Sequence, residues 1–260
     1  MAVTYLDRIV AAHRASAAND TRSIDVLLDE AAGRPAPRGF RGALVRAPAG
    51  EVAVIAEVKR RSPSKGALAP DLDPAALAGA YAAGGAACLS VLTDEEFFGG
   101  STDDLAVARA ACDLPALRKD FTVSEHDVVD ARLMGADAVL LIVAALTTDE
   151  LTRFLGLARA LSLDALVEVH DEAELEAAVT AGADLIGVNQ RDLVSFEVDT
   201  ERAVRLVGAV PPTAVAVAES GIRGADDARV LRDAGYRAVL VGESLVTSGD
   251  PEAAVRSLLH

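Results

Sequence analysis

From Val52 to Val241 the chain repeats one pattern: a short apolar run, a polar loop, then a longer stretch with helical spacing. The apolar runs end near Val58, Leu92, Arg118, Leu141, Glu168, Val188, Ala218 and Val241, at intervals of 20 to 34 residues. Each interval has room for one loop, one helix and the next strand, and unbroken apolar runs suit parallel strands covered on both faces. Eight such units predict an α/β fold, a closed (β/α)8 TIM barrel. An open doubly wound sheet would carry a Gly-rich nucleotide turn after its first strand, and Val58 is followed instead by Lys59-Arg60-Arg61.

Polar residues at the segment ends agree with this spacing. Helix starts are expected at Asp73-Pro74, Ser124 with Asp127, Thr148, Asp171 with Glu174, Asp199 and Asp250-Pro251, where a side-chain oxygen can accept an otherwise unpaired N–H. Glycines that let a helix end in a left-handed turn are expected at Gly84, Gly135, Gly182 and Gly235. Ahead of the repeats, Tyr5, Leu6, Ile9 and Val10 predict one amphipathic helix, and Ile24, Val26, Leu27 and Leu28 a second. The run from Gly33 to Gly39, with Pro35 and Pro37, breaks the pattern. Residues 1–48 are too few for a core of their own, so they form an N-terminal helical extension packed on a barrel of residues 49–260.

Composition narrows the class. Hydrophobic residues make up 51% of the chain, with no Trp and 3% aromatics, so the core is aliphatic. A formal net charge of -15 argues against a nucleic-acid or anionic-membrane surface, and an anionic ligand would need a local cationic pocket. Cys88 and Cys112 read as buried free thiols of a reducing compartment, and His13, His126, His170 and His260 show no metal-ligand spacing. The N-terminus lacks the apolar core of a signal peptide, and no run reaches the ~18 apolar residues of a membrane span. A soluble cytoplasmic protein is expected, monomeric by default.

The candidate chemistry sits where strands empty into loops. Glu57 and Lys59 are two apart and share one side of the first strand. Of 25 cationic residues only Lys59, Lys65 and Lys119 are lysines, and two of these fall at strand ends. An ammonium whose pKa is depressed can release a proton, which a guanidinium in practice does not, so a proton-transferring site has reason to keep Lys. Strand 5 ends in Glu168, strand 6 runs into Asn189-Gln190-Arg191-Asp192, and strand 7 into Glu219-Ser220-Gly221. Three carboxylates, two lysines and an amide would then face the mouth where this fold places its active sites. Arg118, Asp120 and Asp192 are most simply loop ion pairs, and Ser62 and Ser64 could merely cap the loop after Pro63. Gly221 and Gly242 follow strands 7 and 8, where backbone N–H groups of this fold commonly hold a phosphate. Phe97, Phe98 and Phe121 lie near the same mouth and would suit a flat aryl group.

Several of these segments together resemble the indole-3-glycerol phosphate synthase family. They are Ile55 to Gly66 (IAEVKRRSPSKG), Ser90 to Asp94 (SVLTD) with Phe97 to Ser101 (FFGGS), Leu117 to Phe121 (LRKDF), Val167 to His170 (VEVH), Ile186 to Asn189 (IGVN), and Ala218 to Ile222 (AESGI). Gln190 departs from the family pattern, which often has a second Asn there.

The resemblance implies a lyase of tryptophan biosynthesis. It would close 1-(2-carboxyphenylamino)-1-deoxyribulose 5-phosphate to indole-3-glycerol phosphate with loss of carbon dioxide and water, without metal or cofactor. It implies Lys119 as the acid of ring closure, Glu168 as the acid/base of dehydration, and Lys59 as holder of anionic groups and possible donor of the second proton. Glu57 and Asn189 would orient these groups. Ser62, Arg191 and Glu219 join the substrate contacts, Ser220, Gly221, Gly242 and Glu243 the phosphate contacts, and Phe97, Phe98 and Phe121 the aryl cover. Two other readings stay open: a phosphoribosylanthranilate isomerase, expected to carry a cysteine base at the end of strand 1 where this chain has Lys59, and a catalytically silent barrel that binds a phosphometabolite.

Overall fold

The computed structural model describes residues 4–48, 50–63, 65–192 and 196–259; Ser64 and His260 lie outside them. Eight strands close a parallel barrel: β1 (Ala53–Val58), β2 (Cys88–Leu92), β3 (Ala116–Lys119), β4 (Ala138–Ile142), β5 (Asp164–Val169), β6 (Leu185–Asn189), β7 (Val215–Glu219) and β8 (Ala238–Val241). Each pairs with its neighbours in sequence, and β8 returns to β1 with Ala53 opposite Ala238 and Ala56 opposite Val241. The helices are α1 (Tyr5–Ala18), α2 (Ile24–Ala32), α3 (Phe40–Val45), α4 (Pro74–Gly84), α5 (Thr102–Ala111), α6 (Glu125–Leu133), α7 (Thr148–Ala160), α8 (Glu172–Thr180), α9 (Thr200–Leu206), α10 (Ala225–Ala234), α11 (Glu243–Val246) and α12 (Pro251–Leu258).

Alternation along each strand sorts the core into two layers. Val54, Ala56 and Val58 of β1 pack outward with Leu89, Val91, Val139 and Leu141 against the helices. Ala53 and Ile55 turn inward to meet Cys88, Leu117, Leu140, Leu166, Leu185, Val217 and Leu240. From beneath, Phe40 and Leu44 of α3 enter that inner layer, both fully buried. The short helix α3 was not foreseen. Its apolar positions 40, 43 and 44 make only one turn of pattern, interrupted by Gly42 and preceded by the proline-rich run. A buried polar tie anchors the linker before it: Asp137 accepts from the backbone N–H of Arg38 at 2.7 Å and of Ala116 at 2.8 Å, and pairs with Arg109 at 2.9 Å.

The strands differ slightly from the apolar runs. Strands β3 to β7 each extend one residue beyond the expected end, to Lys119, Ile142, Val169, Asn189 and Glu219. Pairing is made by the backbone and ignores side-chain polarity, as in Leu92 opposite Lys119 and Asn189 opposite Glu219. Thr147, not Thr148, caps α7, in a reciprocal box with Glu150. Helix α4 runs through Gly84 and turns at Gly85, whose φ is 92°; Gly84 instead leaves room for the Glu252 backbone, which a side chain there would strike. Cys88 is buried but Cys112 is half-exposed. A two-residue hairpin, Arg61–Ser62 with Gly66–Ala67, stiffens the loop after β1. No helix among the described residues is long and apolar enough to cross a membrane.

The extension holds the barrel at three places. Leu27 and Ala31 of α2 pack on Val129 of α6, α3 closes the bottom, and α1 lies across the mouth. His13 of α1 ends 2.9 Å from Asp94 and 3.8 Å from Asp120, past the ends of β2 and β3, so it is not isolated as its spacing suggested. Asp120 also pairs with Arg118 at 3.0 Å. Arg14 adds a pair to Glu150 at 2.9 Å.

Candidate active site

The inward rows of the barrel begin apolar and end polar. Ile55 is followed by Glu57 and Lys59, Leu117 by Lys119, Leu166 by Glu168, Leu185 and Gly187 by Asn189, and Val217 by Glu219. These ends line one cavity of about 570 Å³, floored by Leu140, Ile142 and Leu240. Two glycines make the space. A side chain at Gly187 would strike the Glu219 carboxylate, and one at Gly242 would strike the Glu57–Lys59 pair.

Lys119 is the hub of the floor. Its Nζ lies 3.1 Å from Glu168 Oε2 and 3.8 Å from Glu219 Oε2. Asn189 donates its Nδ2–H to Glu168 Oε1 at 3.0 Å. Glu57 is ion-paired with Lys59, and Ser90 Oγ donates to its other oxygen at 3.5 Å. Burial works against the Lys119 ammonium, but Glu168, Glu219 and Glu57 outweigh it and hold the pKa above its ordinary value. The depressed lysine that general acid chemistry would favour is thus not found at Lys119; three carboxylates keep it charged. Burial also pushes the Glu168 carboxyl up, yet Lys119, His170 and the Asn189 hydrogen bond prevail and hold it below the usual range. Glu219 goes the other way: burial and the Glu168 charge push its pKa well above the ordinary carboxylate value. Two carboxylates so close cannot both ionise cheaply, and their environments separate their roles. Glu219 thus stands on the cavity floor beside Lys119.

The opposite wall is backbone. Ser220 and Gly221 line the cavity and are both left-handed, with φ of 67° and 73°. Gln190 Nε2 donates to the Ser220 carbonyl at 2.7 Å, and Ser244 Oγ to the Ile222 carbonyl at 3.0 Å, tying the loop after β7 to those after β6 and β8. Helix α11 starts beside them at Glu243, with first-turn N–H groups that have no partner inside the helix. The Glu243 carboxylate pairs with Lys65 across the mouth. Ser62 lines the cavity with a buried hydroxyl that has no hydrogen-bond partner among the described residues.

Phe98 and Phe121 line the cavity with ring centroids 6.2 Å apart. Phe97 does not; it packs edge-on against Tyr5 at 5.9 Å. Asp94 decides this by accepting the N–H groups of both Phe97 and Phe98, at 2.6 Å and 3.0 Å, which fixes the turn. Arg191 lines the cavity, but its guanidinium donates to the Phe196 carbonyl at 2.9 Å and its N–H to Asn189 Oδ1 at 3.0 Å, so it braces Asn189. Arg118 and Asp120 form the ion pair expected of them, and Asp192 lies 4.0 Å from Arg202. Sequence reasoning missed Tyr5, Leu6 and Ile9 of α1 and Phe196, all of which line the cavity. The pattern of α1 showed an apolar face without saying what it covers.

A model of the indole-3-glycerol phosphate synthase family matches residues 6–258. The chain belongs to that family. It is 55% identical over 233 residues to indole-3-glycerol phosphate synthase 2 of Streptomyces coelicolor, covering 90% of this chain and 89% of that protein. The indole-3-glycerol phosphate synthase of Mycolicibacterium vanbaalenii is 49% identical over 258 residues, 98% of this chain and 94% of the relative. Among solved structures, a thiamine phosphate pyrophosphorylase of Pyrococcus furiosus aligns with a TM-score of 0.61 at 20% identity, over 80% of this chain and 93% of that one, which speaks to the shared barrel alone. As a member of the indole-3-glycerol phosphate synthase family the chain is a carboxy-lyase of tryptophan biosynthesis.

Proposed function

We propose that the cavity converts 1-(2-carboxyphenylamino)-1-deoxyribulose 5-phosphate to indole-3-glycerol phosphate, with Lys119 and Glu168 dividing the reaction between them. The observation that carries this is the Lys119–Glu168 contact of 3.1 Å above an apolar floor, in a cavity also lined by Ser220, Gly221, Gly242 and Glu243. The phosphate rests on the N–H groups of Ser220, Gly221, Gly242 and Glu243. The aryl ring lies against Phe98 and Phe121, with Phe97 supporting the loop from behind. Anchoring at both ends folds the chain of the substrate so that ring carbon and carbonyl carbon meet, which supplies much of the rate by orientation.

In the first half the ring carbon bearing the carboxylate attacks the ribulose carbonyl, and the Lys119 ammonium gives its proton to the carbonyl oxygen. The proton moves as negative charge builds on the carbonyl oxygen under attack. The carbon–carboxylate bond then breaks, its electron pair returns to the ring, and carbon dioxide leaves. In the second half Glu168 takes the proton from the carbon bonded to nitrogen, while Lys59 protonates the hydroxyl as it departs as water. Two protons are given and one taken, so one proton is drawn from solvent per turnover, matching the carboxylate lost as carbon dioxide. Glu57 and Asn189 hold Lys59 and Glu168 in place. Ser62, whose hydroxyl has no hydrogen-bond partner among the described residues, and Arg191, through Asn189, complete the substrate contacts.

The acidic surface suits neither nucleic acid nor a membrane, and Lys59 and Lys119 inside the cavity suit a small phosphorylated anion. The same reading places the enzyme in the cytoplasm as a monomer. The test is the appearance of indole fluorescence when purified protein meets the substrate. Saturable product formation is expected; binding without product would leave the silent-barrel reading.

A further inference from the structure

Glu168 does not act alone on its strand. Two residues on, where β5 passes into its loop, His170 turns to the same side. Its Nε2 lies 3.5 Å from Glu168 Oε1 and, though buried, has no hydrogen-bond partner among the described residues. The other ring nitrogen, Nδ1, is 2.9 Å from Glu174 Oε2 on α8, and the same oxygen accepts the His170 backbone N–H at 2.8 Å. Two bonds from one carboxylate fix the ring in plane and in position. A neutral imidazole with its proton on Nδ1 would aim a bare lone pair at Glu168; a protonated ring places an N–H on each carboxylate.

Burial opposes that charge, but the Glu174 hydrogen bond and the Glu168 and Glu174 charges outweigh it, and His170 titrates above its ordinary value despite Arg202 of α9 nearby. Asn189 shares Oε1 of Glu168 with His170, and Lys119 takes Oε2, with Glu219 3.8 Å from Lys119, so His170 and Lys119 are the two basic groups facing this carboxylate.

We propose that His170 is a positioning residue of this reaction: an imidazolium clamped by Glu174 that orients Glu168 and keeps its carboxylate ionised until it takes the substrate proton. The inference rests on the reading of Glu168 as the base of dehydration. A role in packing alone would touch stability and leave the titration of Glu168 where it is. A role in positioning moves both the rate and the pH at which the base loses activity.

The test is kcat and KM measured from about pH 3 to 9 for the wild-type enzyme, H170A, H170Q and E168Q. For H170A the expected result is KM within about twofold, kcat lower by about tenfold, and an acid limb moved up by about one pH unit, because losing a nearby opposite charge raises a carboxylate pKa. H170Q keeps the volume and a donor without the charge; it should move the limb the same way and carries the test if H170A does not fold. Folded variants with wild-type kcat and an unmoved acid limb overturn the proposal. E168Q separates the two ways of failing. If E168Q keeps the turnover and the limb, the assignment of Glu168 falls; if it loses them while both His170 variants do not, only the role of His170 falls.

Discussion

The lower and upper halves of the barrel interior are made by the same strands and differ in one respect, what the inward position carries. Below, Ile55, Leu117, Leu166, Val217 and Leu240 meet Phe40 and Leu44 and exclude water. Above, one inward step along each strand, stand Glu57, Lys119, Glu168, Glu219 and Gly242. Burying isolated charges would cost several kcal/mol each, and here they compensate one another while the apolar half supplies the stability. The lower half can thus be altered without touching the chemistry, and the upper half without unfolding the barrel.

The comparison is broken most severely at Lys119. Lys119→Ala should lower kcat by about 10²- to 10⁴-fold with a smaller change in KM. Steady-state kinetics with the substrate check this, and near-normal turnover would remove Lys119 from the acid role. Leu44→Ala at the bottom should do the reverse, costing about 2–5 kcal/mol of stability with kcat of the folded fraction kept. Urea unfolding and activity of the same sample decide it, and a large loss of kcat in the folded enzyme would tie the two halves together.

The seam between the halves should respond at Gly242. A methyl there strikes the Glu57–Lys59 pair, so Gly242→Ala should raise KM by roughly tenfold, about 1.4 kcal/mol of binding, with little change in melting temperature. An unchanged KM would show that the pair can give way.

The smallest effect concerns the strap across the mouth. Burial lowers the His13 pKa, but the Asp94 hydrogen bond and the Asp120 and Asp94 charges raise it above its ordinary value of 6.5. A pKa raised on folding contributes stability that is fully present below the unfolded value and is lost as pH rises through the folded one. The melting-temperature gap between wild type and His13→Gln should therefore be widest below about pH 6.5 and close at higher pH. A gap independent of pH would mean that His13 acts by packing.

How far the sequence foretold this molecule follows the same division. The eight strands and most caps were legible because period and capping are local properties, as at Asp73, Ser124 and Asp171. The polar strand ends were legible because charges after an apolar run have nowhere to go but a shared mouth. What was illegible depends on approach from afar. Helix α3 shows as a helix only once the barrel floor receives Phe40 and Leu44, and Tyr5, Leu6 and Ile9 join the cavity only because His13 and Arg14 tie α1 across it. The split between Phe97 and Phe98 hangs on one turn made by Asp94, and the opposite pKa shifts of Glu168 and Glu219 on distances of a few ångströms that no spacing in the sequence reports.

The central claim is that two neighbouring side chains run two successive halves of one reaction. Its most direct test is rapid chemical quench of a single turnover by Glu168→Gln, with mass analysis of the bound species. The account predicts a ring-closed, decarboxylated intermediate that still holds its hydroxyl, one water heavier than the product. Finding only unreacted substrate on the variant, with affinity intact, would contradict it and place Glu168 in the ring-closing half.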